Sequence, residues 1–216
     1  MPYVKKSIDS LIKTASDINN FEVNFIFDND DVDSISEFEK WEKNFNFTFQ
    51  VTQRVGYHSL HLYYNQMASV SHGKWLFVWN DDSEMVSKDW DKVILGYGDK
   101  VCIINPQNLS CMEYTVRHNK CMHPVFPRFF YDVTGVVSRN QHTDNYFDGI
   151  GVTFGGIMIS EPGVQHLHPE ERIQDEVTRE IRYHSNHDVC SQEVFDADMN
   201  KIREYMAKNN LSFYKK

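Results

Sequence analysis

The chain has 216 residues, of which 41% are hydrophobic and 25% are charged, and its net charge is −9. This length supports one substantial core, so we expect a single domain over 1–216. The negative charge argues against nucleic acid as the main partner. No apolar run approaches the roughly 18–20 residues that cross a bilayer, and the start of the chain lacks the apolar region of a signal peptide. We therefore expect no transmembrane segment.

The chain contains four cysteines, which are Cys102, Cys111, Cys121 and Cys190. They form no CxxC pair and no dense pattern, and we interpret them as reduced thiols in a cytoplasmic protein. His118 and His123 lie near three of them, but their spacing matches no zinc-finger pattern, which argues against a zinc site.

Helices and buried strands alternate in the first half of the chain. Apolar residues at helical spacing predict a helix over 7–19 with Ser7 as its N-cap, and FEVNFIF (21–27) is typical of a buried strand. The same patterns predict helices over about 34–45, 59–72 and 88–95, and strands at 47–53, 74–80 and 101–105. This alternation indicates an α/β fold with a largely parallel sheet covered on both faces.

The second half of the chain is less regular. The patterns predict a strand piece at 112–116, short helices at 126–135 and 143–151, a strand at 156–160, a polar turn at 166–171, and helices at 170–184 and 191–208. We find no internal repeat and no linker, which is consistent with one domain.

Two of the predicted strands end in acidic clusters, at Asp28–Asp31 and at Asp81–Asp82. In parallel α/β sheets, ligands bind where strands reach their carboxyl ends. Carboxylates that converge there repel one another unless a cation lies between them. A Mg²⁺ or Mn²⁺ ion that holds a diphosphate satisfies this requirement, because both ions prefer oxygen ligands. The alternative is that Asp81, Asp82 and Ser83 only cap the following helix.

The segment YNQMASVSHGKWLFVWNDDSEMVSKDWDKVI (64–94) resembles the middle of family 2 glycosyltransferases of the GT-A fold. The resemblance is carried by Asn65, Ala68, Gly73, the apolar strand 75–79, Asn80–Asp81–Asp82 and Trp90. The preceding segment SIDSLIKTASDINNFEVNFIFDNDD (7–31) is similar to the first helix and second strand of that family.

The resemblance implies a single GT-A-like domain with a mostly parallel mixed sheet flanked by helices. Residues 1–105 would form its nucleotide-binding half, 106–185 its acceptor and catalytic half, and 186–216 a C-terminal helical extension. The implied reaction is a metal-dependent, inverting transfer from a UDP- or GDP-linked sugar to a glycan or another hydroxyl acceptor. The implied cofactor is Mn²⁺ or Mg²⁺.

The resemblance also implies the nucleotide-binding residues. Asp28 is the best candidate for contact with the nucleoside, followed by Asp30. Asn65 and Asp81 match positions on the nucleotide side of the motif. Arg54 lies in a loop where the family handles the diphosphate or the base, and an arginine suits phosphate binding. A solvent-exposed surface arginine is the alternative there.

Asp82 aligns with the last, metal-binding carboxylate of the motif, and Asp144 aligns with the catalytic base, with Thr143 where a glutamate is usual. A base would take the proton of the acceptor hydroxyl as it attacks the anomeric carbon. The alternative for Asp144 is a first-turn carboxylate favoured by the helix dipole.

A late loop often supplies a histidine ligand in these enzymes, and His166 and His168 lie at the corresponding place. We expect only one of the two rings to point inward and favour His166, with His168 as the alternative. Asp175 would support that histidine from behind. If both histidines are instead exposed in the loop, neither is a ligand.

The chain departs from the family in lacking the usual first strand and its nucleotide-contacting loop. Either the natural protein starts upstream, or LSFYK (211–215) or another subunit of a homo-oligomer fills the gap, or the chain is a catalytically inactive binding or assembly module. A third function, a metal-dependent hydrolase, would use Asp81, Asp82, His166 and His168 as ligands.

Overall fold

The computed structural model describes residues 1–168 and 190–214. Its helices are α1 (Pro2–Thr14), α2 (Val32–Lys40), α3 (Leu60–Val70), α4 (Trp90–Leu95), α5 (Phe129–Thr134), α6 (Thr143–Thr153) and α7 (Gln192–Lys208). Its strands are β1 (Glu22–Asp28), β2 (Asn46–Thr52), β3 (Trp75–Phe77), β4 (Glu84–Met85), β5 (Ile103–Asn108), β6 (Val125–Pro127) and β7 (Met158–Leu167). Short 3-10 turns at Ile18–Asn20, Tyr57–Ser59 and Leu109–Cys111 connect them.

The strands form a two-stranded sheet, β1-β2, and a five-stranded sheet with the order β3-β6-β5-β7-β4. The pairs β1–β2 and β5–β7 are parallel, whereas β3–β6, β6–β5 and β7–β4 are antiparallel. The predicted mixed α/β fold is confirmed, but its parallel share is smaller than predicted. The reason is that β6 inserts between β3 and β5 in the opposite direction, and the two-residue β4 adds a further antiparallel pair.

β1 pairs with β2, and β3 pairs with β6. Within the described residues, the other edge of each of these two strands carries no hydrogen-bonded strand. Glu22 is the first residue of β1, and its carboxylate accepts from the backbone N–H groups of His72 and Gly73, which precede β3. This contact connects the starts of the two strands. The described part of the C-terminal segment does not fill the space. Phe213 instead bridges Val101 in parallel, so the suggestion that LSFYK replaces a missing strand is wrong for residues 211–214.

The five-stranded sheet separates two hydrophobic clusters. Ile103 of β5 belongs to the cluster that also contains buried side chains of α6 and α7. Its neighbours Cys102 and Ile104 belong to the cluster that packs against α1, α2 and α4. Alternate residues of a strand face opposite sides of a sheet, so β5 is buried from both sides. The expected covering of the sheet on both faces is therefore present.

Several predicted elements differ in the structure, among them the first helix and the strand piece at 112–116. The first helix begins at Pro2, because proline is well suited to the first helical turn, and Ser7 is a buried interior residue, not the N-cap. Residues 113–117 form a π-helical turn where a strand piece was predicted. A short run with apolar and β-branched residues does not distinguish the two structures by periodicity. The predicted helix at 170–184 and Asp175 lie outside the described residues.

A buried carboxylate on the C-terminal helix α7 binds α6 and the segment that precedes it. Asp198 accepts from both Nε and Nη2 of Arg139, at 2.8 and 2.6 Å, and from the hydroxyl of Tyr146 at 2.9 Å. These contacts fix α7 against the segment that leads into α6. None of the helices in the described part of the chain is long and apolar enough to cross a membrane.

Candidate functional site

The acidic residues that follow β3 lie in a turn over residues 80–83 that is held against α1. The N–H of Ser83 donates to the carbonyl of Asn80 at 3.2 Å, which closes the turn. The indole N–H of Trp79 donates to Ser7 at 2.8 Å, and the hydroxyl of Ser7 donates to the carbonyl of Asn80 at 3.3 Å. Contacts with α1 therefore fix the backbone that carries the acidic pair.

Asp82 faces His168, the residue that directly follows β7. Its Oδ1 lies 3.2 Å from Nε2 of His168, and Nδ2 of Asn80 lies 3.5 Å from the same ring nitrogen. The side chain of His168 is only 5% exposed, whereas that of Asp82 is 33% exposed. The structure thus places a predicted metal-binding carboxylate next to a predicted imidazole ligand, at a position that is partly accessible to solvent.

Two further histidines lie behind this pair. Nδ1 of His123 is 2.8 Å from Nε2 of His166, whose residue is 0% exposed. The rings of His123 and His168 are nearly parallel, with centroids 6.0 Å apart, and Trp79 packs against His123 and His166. Burial, with a smaller contribution from His168, lowers the pKa of His166 to about 3. His166 is therefore a neutral imidazole at physiological pH.

The expectation that only one of His166 and His168 points inward is wrong, since both rings are buried in the same cluster. Residues two apart on an extended segment share a face. His166 near the end of β7 and His168 directly after it therefore both place their rings next to His123. The ring next to Asp82 belongs to His168, whereas the favoured His166 uses Nε2 to contact His123. His168 is consequently the better-placed ligand candidate.

Asp81 lies beside Asp82 at the rim of the turn. The residue is exposed, but nearby protein atoms partly desolvate its carboxyl group. This desolvation, together with repulsion from Asp82, raises the pKa of Asp81. A cation near both carboxyl groups would offset this repulsion and favour their charged forms. The acidic pair is thus suited electrostatically to a positively charged ligand.

The predicted nucleoside residues form a second cluster at the end of β1. Arg54 contacts Asp28 through Nη1 at 3.0 Å and Asp30 through Nε at 2.9 Å. The hydrogen bond from Arg54 lowers the pKa of Asp30. The hydroxyl of Tyr63 donates to Asp28 and accepts from the N–H of Val55. The structure brings Asp28, Asp30 and Arg54 together and adds Tyr63, which the sequence did not single out.

Asn65 lies on α3 and forms hydrogen bonds with the loop between α5 and α6. Its Oδ1 accepts from the N–H of Val137 at 2.6 Å and of Ser138 at 3.4 Å, and its Nδ2 donates to the carbonyl of Ser138 at 3.3 Å. In this arrangement its amide ties α3 to the segment that precedes α6.

Asp144 lies in the first turn of α6 and is half-buried. Burial raises its pKa, and the neighbouring Asp148 raises it further. One turn later, Asp148 accepts from the N–H of Cys121 at 3.0 Å and pairs with Lys120 at 3.2 Å. The short segment from Lys120 to His123 thus connects the helix of Asp144 to the histidine cluster.

Apart from Asn65, the predicted site residues therefore fall into three local groups, around Asp28, Asp82 and Asp144. Within residues 1–168 and 190–214, no three His, Cys, Asp or Glu side chains gather as a complete metal site. The cysteines at 102, 111 and 121 form no disulfide, and Cys102 and Cys121 are buried whereas Cys111 is exposed. A metal held by Asp82 and His168 would need further ligands, such as diphosphate oxygens or water.

Comparison with known proteins identifies the fold. No protein family and no curated protein matches the sequence. A solved structure of the mannosyltransferase PcManGT from Pyrobaculum calidifontis, in complex with GDP-Man and Mn²⁺, matches with a TM-score of 0.63 and 12% identity over 97% of this chain and 71% of that chain. S. aureus TarS 1-349 in complex with UDP-GlcNAc matches with a TM-score of 0.57 and 9% identity, over 95% and 69%.

At such low identities these likenesses report on the fold alone, and they agree with the fold that the resemblance implied. The chain has a GT-A-like glycosyltransferase fold.

Proposed function

We propose that the chain is a metal-dependent glycosyltransferase that moves a sugar from a UDP- or GDP-linked donor to a hydroxyl acceptor. The observation that carries this proposal is the approach of Asp82 to His168 at the carboxyl end of β3. The matched structures support it, because one contains GDP-Man and Mn²⁺ and another contains UDP-GlcNAc. The four free cysteines support a cytoplasmic location for this activity.

The donor atoms at Asp82 fit a divalent cation. Two adjacent ligands of an octahedral ion with bonds of about 2.1 Å are about 3.0 Å apart. The observed separation of 3.2 Å between Oδ1 of Asp82 and Nε2 of His168 is close to this value. A carboxylate oxygen and an imidazole nitrogen together suit Mn²⁺ or Mg²⁺, with Mn²⁺ favoured by the nitrogen. When bound, the cation would stabilise the charge of the departing nucleoside diphosphate.

The cluster at the end of β1 would bind the nucleoside part of the donor. Asp28 presents a carboxylate that accepts hydrogen bonds, and Arg54 beside it presents a guanidinium that donates them. Uracil and guanine both carry a carbonyl next to an N–H, which complements this pair of groups. We assign residues 1–105 to nucleotide binding, 106–185 to acceptor binding and catalysis, and 186–216 to a C-terminal extension.

Asp144 would act as the base of an inverting transfer. Its raised pKa makes it a stronger base than an exposed aspartate, which favours removal of the proton from the acceptor hydroxyl. The hydroxyl oxygen would then form the bond to the anomeric carbon as the bond to the diphosphate breaks. The product would have the opposite anomeric configuration, which NMR of the isolated product can measure.

Calorimetric titration of the full chain with UDP and GDP, with and without Mn²⁺ or Mg²⁺, tests the proposal. We expect nucleotide binding that depends on the metal and that is reduced at least about 10-fold in Asp82→Asn, which removes one ligand charge. Asp99→Asn is the matched control, because Asp99 is highly exposed and pairs with Lys74 on the surface.

Three outcomes separate the candidate functions. Metal-dependent binding followed by sugar transfer supports the enzyme. Binding without product after long incubation supports the inactive binding or assembly module, and release of free sugar without an acceptor supports a hydrolase. No metal-dependent affinity for either nucleotide contradicts the proposal.

A further inference from the structure

Ser110, in the turn that follows β5, holds both backbone groups of His168. Its hydroxyl donates to the carbonyl oxygen of His168 at 2.8 Å and accepts from the N–H of His168 at 3.1 Å. A single side chain therefore restrains the peptide planes on both sides of the residue whose ring faces Asp82. Ser110 carries no charge and belongs to none of the motifs above, so the sequence gives no sign of this role.

Ser110 is itself fixed by the sheet. Its N–H donates to Oδ1 of Asn108 at 3.0 Å, which starts the 3-10 turn Leu109–Cys111. Asn108 is a buried residue of β5 that lies opposite His166 of β7 in the parallel register. The N–H of Asn108 is in turn bonded to the hydroxyl of Thr115 at 3.3 Å. The restraint on His168 is therefore transmitted from the central strand pair of the sheet.

The ring of His168 is restrained separately from its backbone. It lies nearly parallel to the ring of His123, with an angle of 13° between their planes, and His123 contacts His166 at 2.8 Å. On the other side, Asn80 and Asp82 approach Nε2 of His168 at 3.5 and 3.2 Å. With its backbone and one ring face both restrained, His168 has little freedom left to turn Nε2 away from Asp82.

We propose that Ser110 is a positioning residue for the metal site, which presents Nε2 of His168 beside Asp82 before a metal binds. This inference rests on the proposed function, because it assigns His168 as a ligand. A ligand that is already in place loses little conformational entropy on binding, whereas a mobile ligand must be ordered by the metal. Removing the partners that orient metal ligands typically lowers metal affinity about 10- to 100-fold.

The test compares the full chain with Ser110→Ala, which removes both hydrogen bonds, and with Ser110→Thr, which retains the hydroxyl. Mn²⁺ affinity is measured by calorimetry in the presence of saturating UDP or GDP, and hydrogen exchange of the His168 amide is measured without metal. Ser69→Ala is the control, since Ser69 is exposed on α3 and its hydroxyl donates to the carbonyl of Gln66 in the same helix. Thermal unfolding of each variant separates loss of metal affinity from loss of fold.

In Ser110→Ala we expect Mn²⁺ affinity to fall about 10-fold or more, faster exchange of the His168 amide, and a melting temperature close to that of Ser69→Ala. Ser110→Thr should restore both affinity and protection. If the unaltered chain binds Mn²⁺ and nucleotide but Ser110→Ala binds them equally well, the positioning role is wrong while the proposed function stands. If the unaltered chain binds neither, the proposed function fails and this role fails with it.

Discussion

Nε2 of His168, directly after β7, lies 3.2 Å from Oδ1 of Asp82, although the two residues are far apart in the sequence. The neighbouring His166 uses its corresponding nitrogen to contact His123. The two histidines are close in sequence and both buried, but only His168 faces the acidic turn. This difference makes them a matched pair for testing which one is a metal ligand.

We expect His168→Gln to lower Mn²⁺ affinity by about 10-fold or more, and His166→Gln to lower it by much less. Glutamine keeps a similar size and polarity, so the main change at position 168 is the loss of a nitrogen ligand. The measurement is calorimetric titration with Mn²⁺ in the presence of UDP or GDP. An equal or larger loss in His166→Gln would contradict the assignment.

Asp144→Asn should reduce kcat about 100- to 10,000-fold while leaving the KM for the nucleotide sugar little changed, because a base contributes in the transition state and not to donor binding. The rate of the unaltered enzyme should fall as the pH drops through the pKa of Asp144. Since burial raises that pKa, this acidic limb should lie above the usual range of an aspartate.

The measurement for Asp144 is kcat/KM as a function of pH, with Asp132→Asn as the control. Asp132 is half exposed and pairs with Arg128, which directly precedes α5, so its loss should leave the profile unchanged. An acidic limb that is still present in a residually active Asp144→Asn would show that another group is the base.

Asp198→Asn should lower the free energy of unfolding by about 3 kcal/mol, because it leaves Arg139 without its buried counter-charge. The side chain of Asp198 is 1% exposed and accepts hydrogen bonds from Arg139 and Tyr146. Urea denaturation measures the change. Asp196→Asn, on the same helix and exposed, should cost much less, and an equal cost for both variants would contradict the role given to Asp198.

Asp91 predicts a pH dependence of stability. The residue is 2% exposed, and although burial alone would raise its pKa, hydrogen bonds from Ser16, Asn20 and Asp17 lower it from 3.8 to about 2. Because the pKa is lower in the folded state, the stabilisation is complete above the unfolded value near 3.8 and is lost as the pH falls toward 2. The shift corresponds to about 2 kcal/mol.

Asp91→Asn should therefore be less stable than the unaltered chain at pH 7 by about 2 kcal/mol, and this difference should shrink between about pH 4 and pH 2. Urea denaturation across this range provides the measurement, with the exposed Asp99→Asn as the control. A difference that stays constant as the pH falls would show that ionisation of Asp91 does not contribute.

Much of the fold was predictable because it depends on local patterns. Apolar runs predicted β1, β2 and β5 to within a few residues, and helical spacing predicted α2, α3 and α7. The direction of strand pairing was not predictable in the same way, because β6 is short and its partners are distant in sequence. The strand predicted at 74–80 is also shorter in the structure, where β3 covers 75–77. The backbone near Asn80 turns toward α1 instead of continuing the strand.

The candidate site was predictable where it follows strand ends and not where it depends on tertiary contacts. Asp28 and Asp82 follow buried strands, which is a visible signal in the sequence. Ser110, His123 and Tyr63 become relevant only through contacts with residues far along the chain. Alternation along an extended segment, applied as a period of two, would have placed His166 and His168 on the same face.

In the described chain, the β1-β2 sheet does not pair with any strand of the five-stranded sheet. This separation has a dynamic consequence. Strand pairs that share no ladder can exchange their amide protons as separate cooperative units. A donor whose nucleoside contacts Asp28 and whose diphosphate reaches Asp82 would bridge the two units. Such a bridging molecule would slow exchange in both sheets at once, because it binds only when they are correctly aligned.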